Sequence, residues 1–96
     1  MEFLLTAYDG TDESALDRRT RVREEHLTYA RQLKKEGKLI EGGAFLSETG
    51  QMIGSMLLYR FESEEALQAC IANDPYKRNG VWVDIKTQPI RLAKLE

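Results

Sequence analysis

The stretch LIEGGAFLSETGQMIGSMLLYRF, residues 39–61, holds two β-like runs, Leu39–Ser47 and Met52–Phe61, around Glu48-Thr49-Gly50-Gln51. Those four residues are a hairpin signal, with Gly50 free to take a positive φ. What flanks the hairpin decides the fold. Upstream, Phe3–Tyr8 alternates aromatic and aliphatic residues and ends in Asp9-Gly10, a strand followed by a turn. A helix of more than twenty residues follows, opened by a capping-box pattern at Ser14 and Asp17, with Thr11 and Asp12 as alternative N-caps. Gly37 closes it. Downstream, Ser63 caps a second helix with Glu64 and Glu65 in its first turn, and Pro75 stops it near Asn73. Val81–Lys86 is the last strand, Pro89 marks a bend or edge position, and Ile90–Leu95 is a short extended tail.

The order β-α-β-β-α-β is the split βαβ, or ferredoxin-like, arrangement of the α+β class. Right-handed crossovers put both helices on one face of a four-stranded antiparallel sheet. The other face needs a cover. On the third strand Met52, Met56 and Leu58 alternate with Ile53, Leu57, Tyr59 and Phe61, so both faces are apolar. Two helices cover one face, which predicts a homodimer with the sheets packed face to face, a dimeric α/β barrel.

With 96 residues, the chain reads as a single domain spanning 1–96, without internal repeat or linker. Hydrophobic residues make up 42%, charged residues 31%, and the formal net charge is −2. Acids are interleaved with the bases of Arg18–Glu36, so no positive stripe suited to nucleic acid forms. One cysteine and one histidine predict neither a disulfide nor a zinc site, and Cys70 reads as a small core residue rather than a reactive thiol. The apolar stretch at the N-terminus is too brief for a signal peptide or a membrane span, so a cytoplasmic protein without membrane partners is expected.

The first helix carries three basic side chains on its apolar face. With His26 at 0° and about 100° per residue, Arg19 falls near +20° and Arg23 near +60°, among Ala15, Val22, Ala30 and Leu33. Burying such groups unpaired costs several kcal/mol, so each calls for a carboxylate, a carbonyl, water or a ligand. His26 is the natural proton-transfer group, although a core-edge histidine bonded to a carbonyl has the same pattern. Arg19 and Arg23 fit either the inner ends of a salt-bridge network or a clamp for a carboxylate, phenolate or phosphate.

Asp74, in Asn73-Asp74-Pro75-Tyr76, has the pattern of an N-cap before a short helical turn. That role is compatible with a second. Both helices share a sheet face, so the middle of the first approaches the end of the second, where Asp74 can orient the His26 imidazole. Tyr76 and Trp82 read as packing residues with polar tips, Ser55 as a candidate ligand contact, and Gly54 as a site of tight packing or a bulge. Gly42-Gly43 precedes no helix and so makes no phosphate loop.

Taken together, Arg19-x-x-Val22-Arg23-x-x-His26-Leu27, Glu36-Gly37-Lys38-Leu39, Gly43, Gly54-Ser55, Phe61-Glu62-Ser63 and Asp74-Pro75-Tyr76-x-x-x-Gly80-Val81-Trp82 resemble the YciI-like, YCII-related family. The resemblance runs from first strand to last. It implies a ferredoxin-like dimer with a His–Asp pair in a cleft, mapped onto His26 and Asp74, and lyase-like chemistry that includes chloride elimination from chlorinated aromatics. Two departures stand out: Glu24 occupies a position where relatives often carry proline, and the loop at Glu48–Gln51 is short.

The expectation is a cofactor-independent enzyme without metal. His26 and Asp74 are its catalytic pair, and Arg19, Arg23, Ser55 and Tyr76 hold a small anionic substrate, aromatic compounds included. The alternatives are a non-catalytic module that binds a small anion in the same cleft, and an oxygenase or isomerase suggested by fold analogy alone.

Overall fold

A computed structural model describes residues 1–95. The elements are β1 (Glu2–Asp9), α1 (Ala15–Lys35), β2 (Leu39–Leu46), β3 (Met52–Arg60), α2 (Glu64–Ala72), α3 (Pro75–Arg78) and β4 (Trp82–Ile90). The strands form one antiparallel sheet in the order β2-β3-β1-β4. This is the ferredoxin-like fold, with the helices on one face.

Local chemistry sets most boundaries. Gly37 takes φ +76°, Lys38 N–H donates to Leu33 O and Gly37 N–H to Lys34 O, so α1 ends in a Schellman motif. Ser63 Oγ accepts from Ala66 N–H at 3.1 Å and caps α2. Gly50, at φ +86°, closes the β2–β3 hairpin. The N-terminus of α1 departs from the capping-box expectation, because the Ser14 side chain caps nothing. Instead the Asp12 carbonyl accepts from Ala15 N–H, and the Asp12 carboxylate holds Arg18 at 2.7 Å.

The core lies between sheet and helices. Phe3, Leu5 and Ala7 of β1 and Leu57 and Tyr59 of β3 meet Val22 and Leu33 of α1 and Leu67, Cys70 and Ile71 of α2. Two details of the strands differ from the pattern expected from the sequence. Phe45 pairs with Gly54 but Leu46 with Met52, a bulge that reverses the parity of β3 at its start. Met52 therefore turns to the helix side of the sheet, while Ile53 is left exposed. Pro89 lies within β4, paired with Phe3, so the strand runs on to Ile90; β4 is an edge strand, where a missing N–H is tolerated. Residues 91–95 have no regular structure.

The open sheet face carries Leu4 and Thr6 of β1, Phe45 of β2, and Met56 and Leu58 of β3, all half-buried. Where Gly54 removes a side chain, Tyr8 and Phe45 reach across it from both neighbouring strands and stack with centroids 5.1 Å apart. No helix among the described residues is long and apolar enough to cross a membrane.

Candidate active site

Strand parity explains the base of the site. Asp9 continues the inward series Phe3, Leu5, Ala7 and is buried at the end of β1. The apolar face of α1 brings Arg19 over it. Arg19 Nη1 donates to both Asp9 oxygens at 2.9 and 3.0 Å, and Nη2 donates to Ser55 Oγ at 2.9 Å. Trp82 Nε1–H donates to the same Ser55 Oγ at 2.9 Å. Four buried side chains from β1, α1, β3 and β4 are thus tied into one network.

Two turns further along α1, His26 Nδ1 lies 2.8 Å from Asp74 Oδ1. Asp74 is also the N-cap of α3, its Oδ1 accepting from Tyr76 N–H at 2.9 Å. An ionised carboxylate only accepts, so the network assigns the hydrogen to Nδ1 and leaves Nε2 as the basic nitrogen of the neutral ring. Nε2 has no hydrogen-bond partner among the described residues, and His26 lines a cleft of about 330 Å³ between α1 and the β2–β3 hairpin. The Tyr76 ring stacks on the imidazole at 3.9 Å between centroids, and Trp82 meets it edge-on at 5.8 Å. Arg19 Cζ lies 4.8 Å from the Tyr76 centroid. Burial pushes the Tyr76 phenol up, against the pull of Arg19 and Arg23.

His26, Asp74, Arg19, Ser55 and Tyr76 are therefore gathered in one place, and four of them line the cleft, with Asp74 behind His26. Arg23 separates from Arg19. It is exposed at the cleft, without a carboxylate partner among the described residues, whereas Arg19 is buried against Asp9. Arg31 and Lys34 add positive charge to the rim, faced by Glu41. Leu27, Leu39, Leu57 and Met52 supply apolar wall. The site can thus hold a small, partly apolar anion beside an oriented imidazole. No group of three or more His, Cys, Asp or Glu able to hold a metal occurs among the described residues.

Sequence reasoning missed Asp9 as the partner of Arg19, reading it as a turn residue, and read Trp82 as a packing residue with a polar tip without assigning Ser55 as its partner. The parity of β1 places Asp9 inward only once the strand is known to run through it, which Asp9-Gly10 does not reveal. Arg31 and Lys34 carried none, because solvated helix positions look alike in sequence.

The chain matches the family model for the YCII-related domain over residues 1–91. The YciI protein of Escherichia coli is 31% identical to it, over 95% of this chain and 97% of that protein. Among solved structures, 5-chloro-2-hydroxyhydroquinone dehydrochlorinase from Burkholderia phenoliruptrix, in complex with 2,5-dihydroxybenzoquinone, superposes with a TM-score of 0.85. It is 28% identical, with 97% of this chain and 96% of that one covered. A dimeric ferredoxin-like protein from an uncultured marine organism superposes at 0.59 with 12% identity, over 98% and 97% of the two chains, a likeness of fold alone. On the match over 1–91 and its relatives, the chain belongs to the YCII-related family.

Proposed function

We propose that this protein is a small-molecule enzyme of lyase-like, acid–base chemistry in which His26 Nε2 moves a proton on an anionic, aromatic or quinonoid substrate. The observation that carries this reading is the 2.8 Å contact between His26 Nδ1 and Asp74, with the other ring nitrogen unpartnered at the cleft. Asp74 fixes the tautomer and stabilises the imidazolium once the proton is taken. Arg23, with Arg31 and Lys34 around it, attracts the substrate's negative charge. In an elimination, Nε2 removes a proton and the leaving group departs with the electron pair of its own bond. The structural neighbour that dechlorinates a hydroxyhydroquinone supports the substrate class.

Chloride release from 5-chloro-2-hydroxyhydroquinone tests this reading. His26→Asn keeps a polar group but exchanges no proton near neutral pH, and it is expected to lower the rate about 10²–10⁴-fold with binding retained. Full turnover in His26→Asn would remove His26 from the chemistry; ligand binding without turnover in the unaltered protein would favour a binding module.

The reading includes a homodimer through the open sheet face, supported by the half-buried Leu4, Met56 and Leu58 there and by a dimeric neighbour of the same fold. Met56, on that face, is the residue to replace with Arg, since Leu57 faces the core. A single 11.0 kDa species for the unaltered protein in sedimentation equilibrium would refute it. Cytoplasmic residence belongs to the same proposal.

A further inference from the structure

Ser55 is 2% exposed and lines the cleft. Its Oγ receives hydrogen bonds from Arg19 Nη2 and from Trp82 Nε1, and neither a guanidinium nor an indole N–H can accept one in return. Both lone pairs of the hydroxyl are therefore spent. The remaining tetrahedral position is the hydrogen, and it has no acceptor among the described residues. Two bonds away from the Nη2 that holds Ser55, Arg19 Nε–H is also buried without an acceptor among the described residues. Two unspent donors, on adjoining residues that both line the cleft, call for an oxygen that only accepts.

We infer that Ser55 Oγ–H and Arg19 Nε–H form an oxyanion subsite that binds a deprotonated oxygen of the substrate, a phenolate, enolate or carboxylate oxygen. The inference rests on the reading of the cleft as a substrate site and adds the chemical group held beside the proton-transfer residue. Accepting from a cationic guanidinium and an indole polarises the Ser55 hydroxyl and strengthens it as a donor. Asp9 takes up the charge of Arg19 and fixes its plane, so the subsite presents aimed dipoles rather than a loose cation. Trp82 acts as a positioning residue: by occupying the second lone pair it denies Ser55 any role as acceptor from a substrate hydroxyl or amine. The network thereby selects for an oxyanion.

The test uses 2,5-dihydroxybenzoquinone, a coloured oxyanion, titrated against the full-length protein by calorimetry and by its visible absorption. Ser55→Ala is expected to weaken binding about 10- to 100-fold, the range for a hydrogen bond to a charged group, and to raise the apparent pKa of the bound probe. Trp82→Phe keeps the hydroxyl but frees one lone pair, so it should lose less affinity while narrowing the preference for the anion over its protonated form. Equal affinity and an unchanged probe titration in folded Ser55→Ala would overturn the subsite. A neutron structure of the unaltered protein decides the matter where Ser55→Ala does not fold or the probe does not bind. A Ser55 deuteron aimed into the cleft at water or ligand supports the subsite, and one aimed at a protein carbonyl refutes it. A deuteron in the cleft with no binding of the quinone would leave the subsite standing and overturn the aromatic reading instead.

Discussion

His26 and Tyr76 stack ring on ring, with centroids 3.9 Å apart and planes 9° from parallel, while the Tyr76 backbone N–H and the imidazole Nδ1 meet the same Asp74 oxygen. Asp74 is thus cap and orienter at once. The turn that starts α3 delivers both the carboxylate and the aromatic wall to the histidine, so the geometry of the pair is set by backbone as well as by side chains.

The two roles separate by substitution. Asp74→Asn keeps an oxygen for the Tyr76 N–H and removes the charge that stabilises an imidazolium. Stability should fall by no more than about 1 kcal/mol, whereas turnover should fall about 10- to 100-fold. Asp74→Ala removes the cap too, at a further cost of about 1–2 kcal/mol. Urea unfolding beside the chloride-release assay reads both, and equal activity in Asp74→Asn would reduce Asp74 to a cap.

Asp9 and Arg19 are buried to 3% and 4% side-chain exposure, where a charge without its partner is costly. Asp9→Leu and Arg19→Met should each destabilise by about 3–5 kcal/mol, while the double change Asp9→Leu with Arg19→Met should cost less than the sum of the two. Additive losses in a denaturant-unfolding cycle would show that the two groups do not act as a pair.

The order of elements was legible because each boundary has local chemistry: Gly37 ends α1, Gly50 turns the hairpin, Ser63 caps α2, and Pro75 divides α2 from α3. The His26–Asp74 pair was legible because the helix periodicity put an imidazole on a buried arc and the fold brought the end of α2 beside it. Asp9 was not, since a strand-terminal Asp before Gly has the same local pattern whether it turns the chain or continues the inward face. The bulge at Ile53 was hidden for a related reason. Alternation counts residues, and an inserted one leaves the apolar composition of Met52-Ile53 unchanged while exchanging which faces inward.

Gly54 marks a close approach. A Cβ there would run into the Ala7 carbonyl oxygen and lie 3.0 Å from Phe45 and 3.2 Å from Tyr8, whereas one at Gly43 would meet nothing within 4 Å. Gly54→Ala is expected to cost about 1–3 kcal/mol, and Gly43→Ala less than about 0.5 kcal/mol. Denaturant midpoints compare them directly, and equal stabilities would mean that the β1 backbone at Ala7 and the Tyr8–Phe45 stack both yield without cost.

Tyr59 carries the clearest unbalanced polar group of the core. Tyr59 is 1% exposed, its hydroxyl has no hydrogen-bond partner among the described residues, and burial pushes the phenol well above its ordinary value of 10.0. Tyr29 and Tyr76 are also raised by burial, and the Cys70 thiol is raised from 9.0 for the same reason. For acids raised in the folded state, the unfolded chain releases protons first. Stability from these groups is complete below about pH 9 and declines as pH climbs through 9 and 10 towards the folded values. Tyr59→Phe deletes an unsatisfied hydroxyl and one such acid, so it should leave stability at pH 7 unchanged or raise it by up to about 1 kcal/mol. Its alkaline unfolding midpoint should also move to higher pH. Circular dichroism followed from about pH 7 to about pH 11.5 measures the shift. A lower midpoint in Tyr59→Phe would mean that the hydroxyl is held by a bound water, which makes it part of the folded network rather than a burden on it.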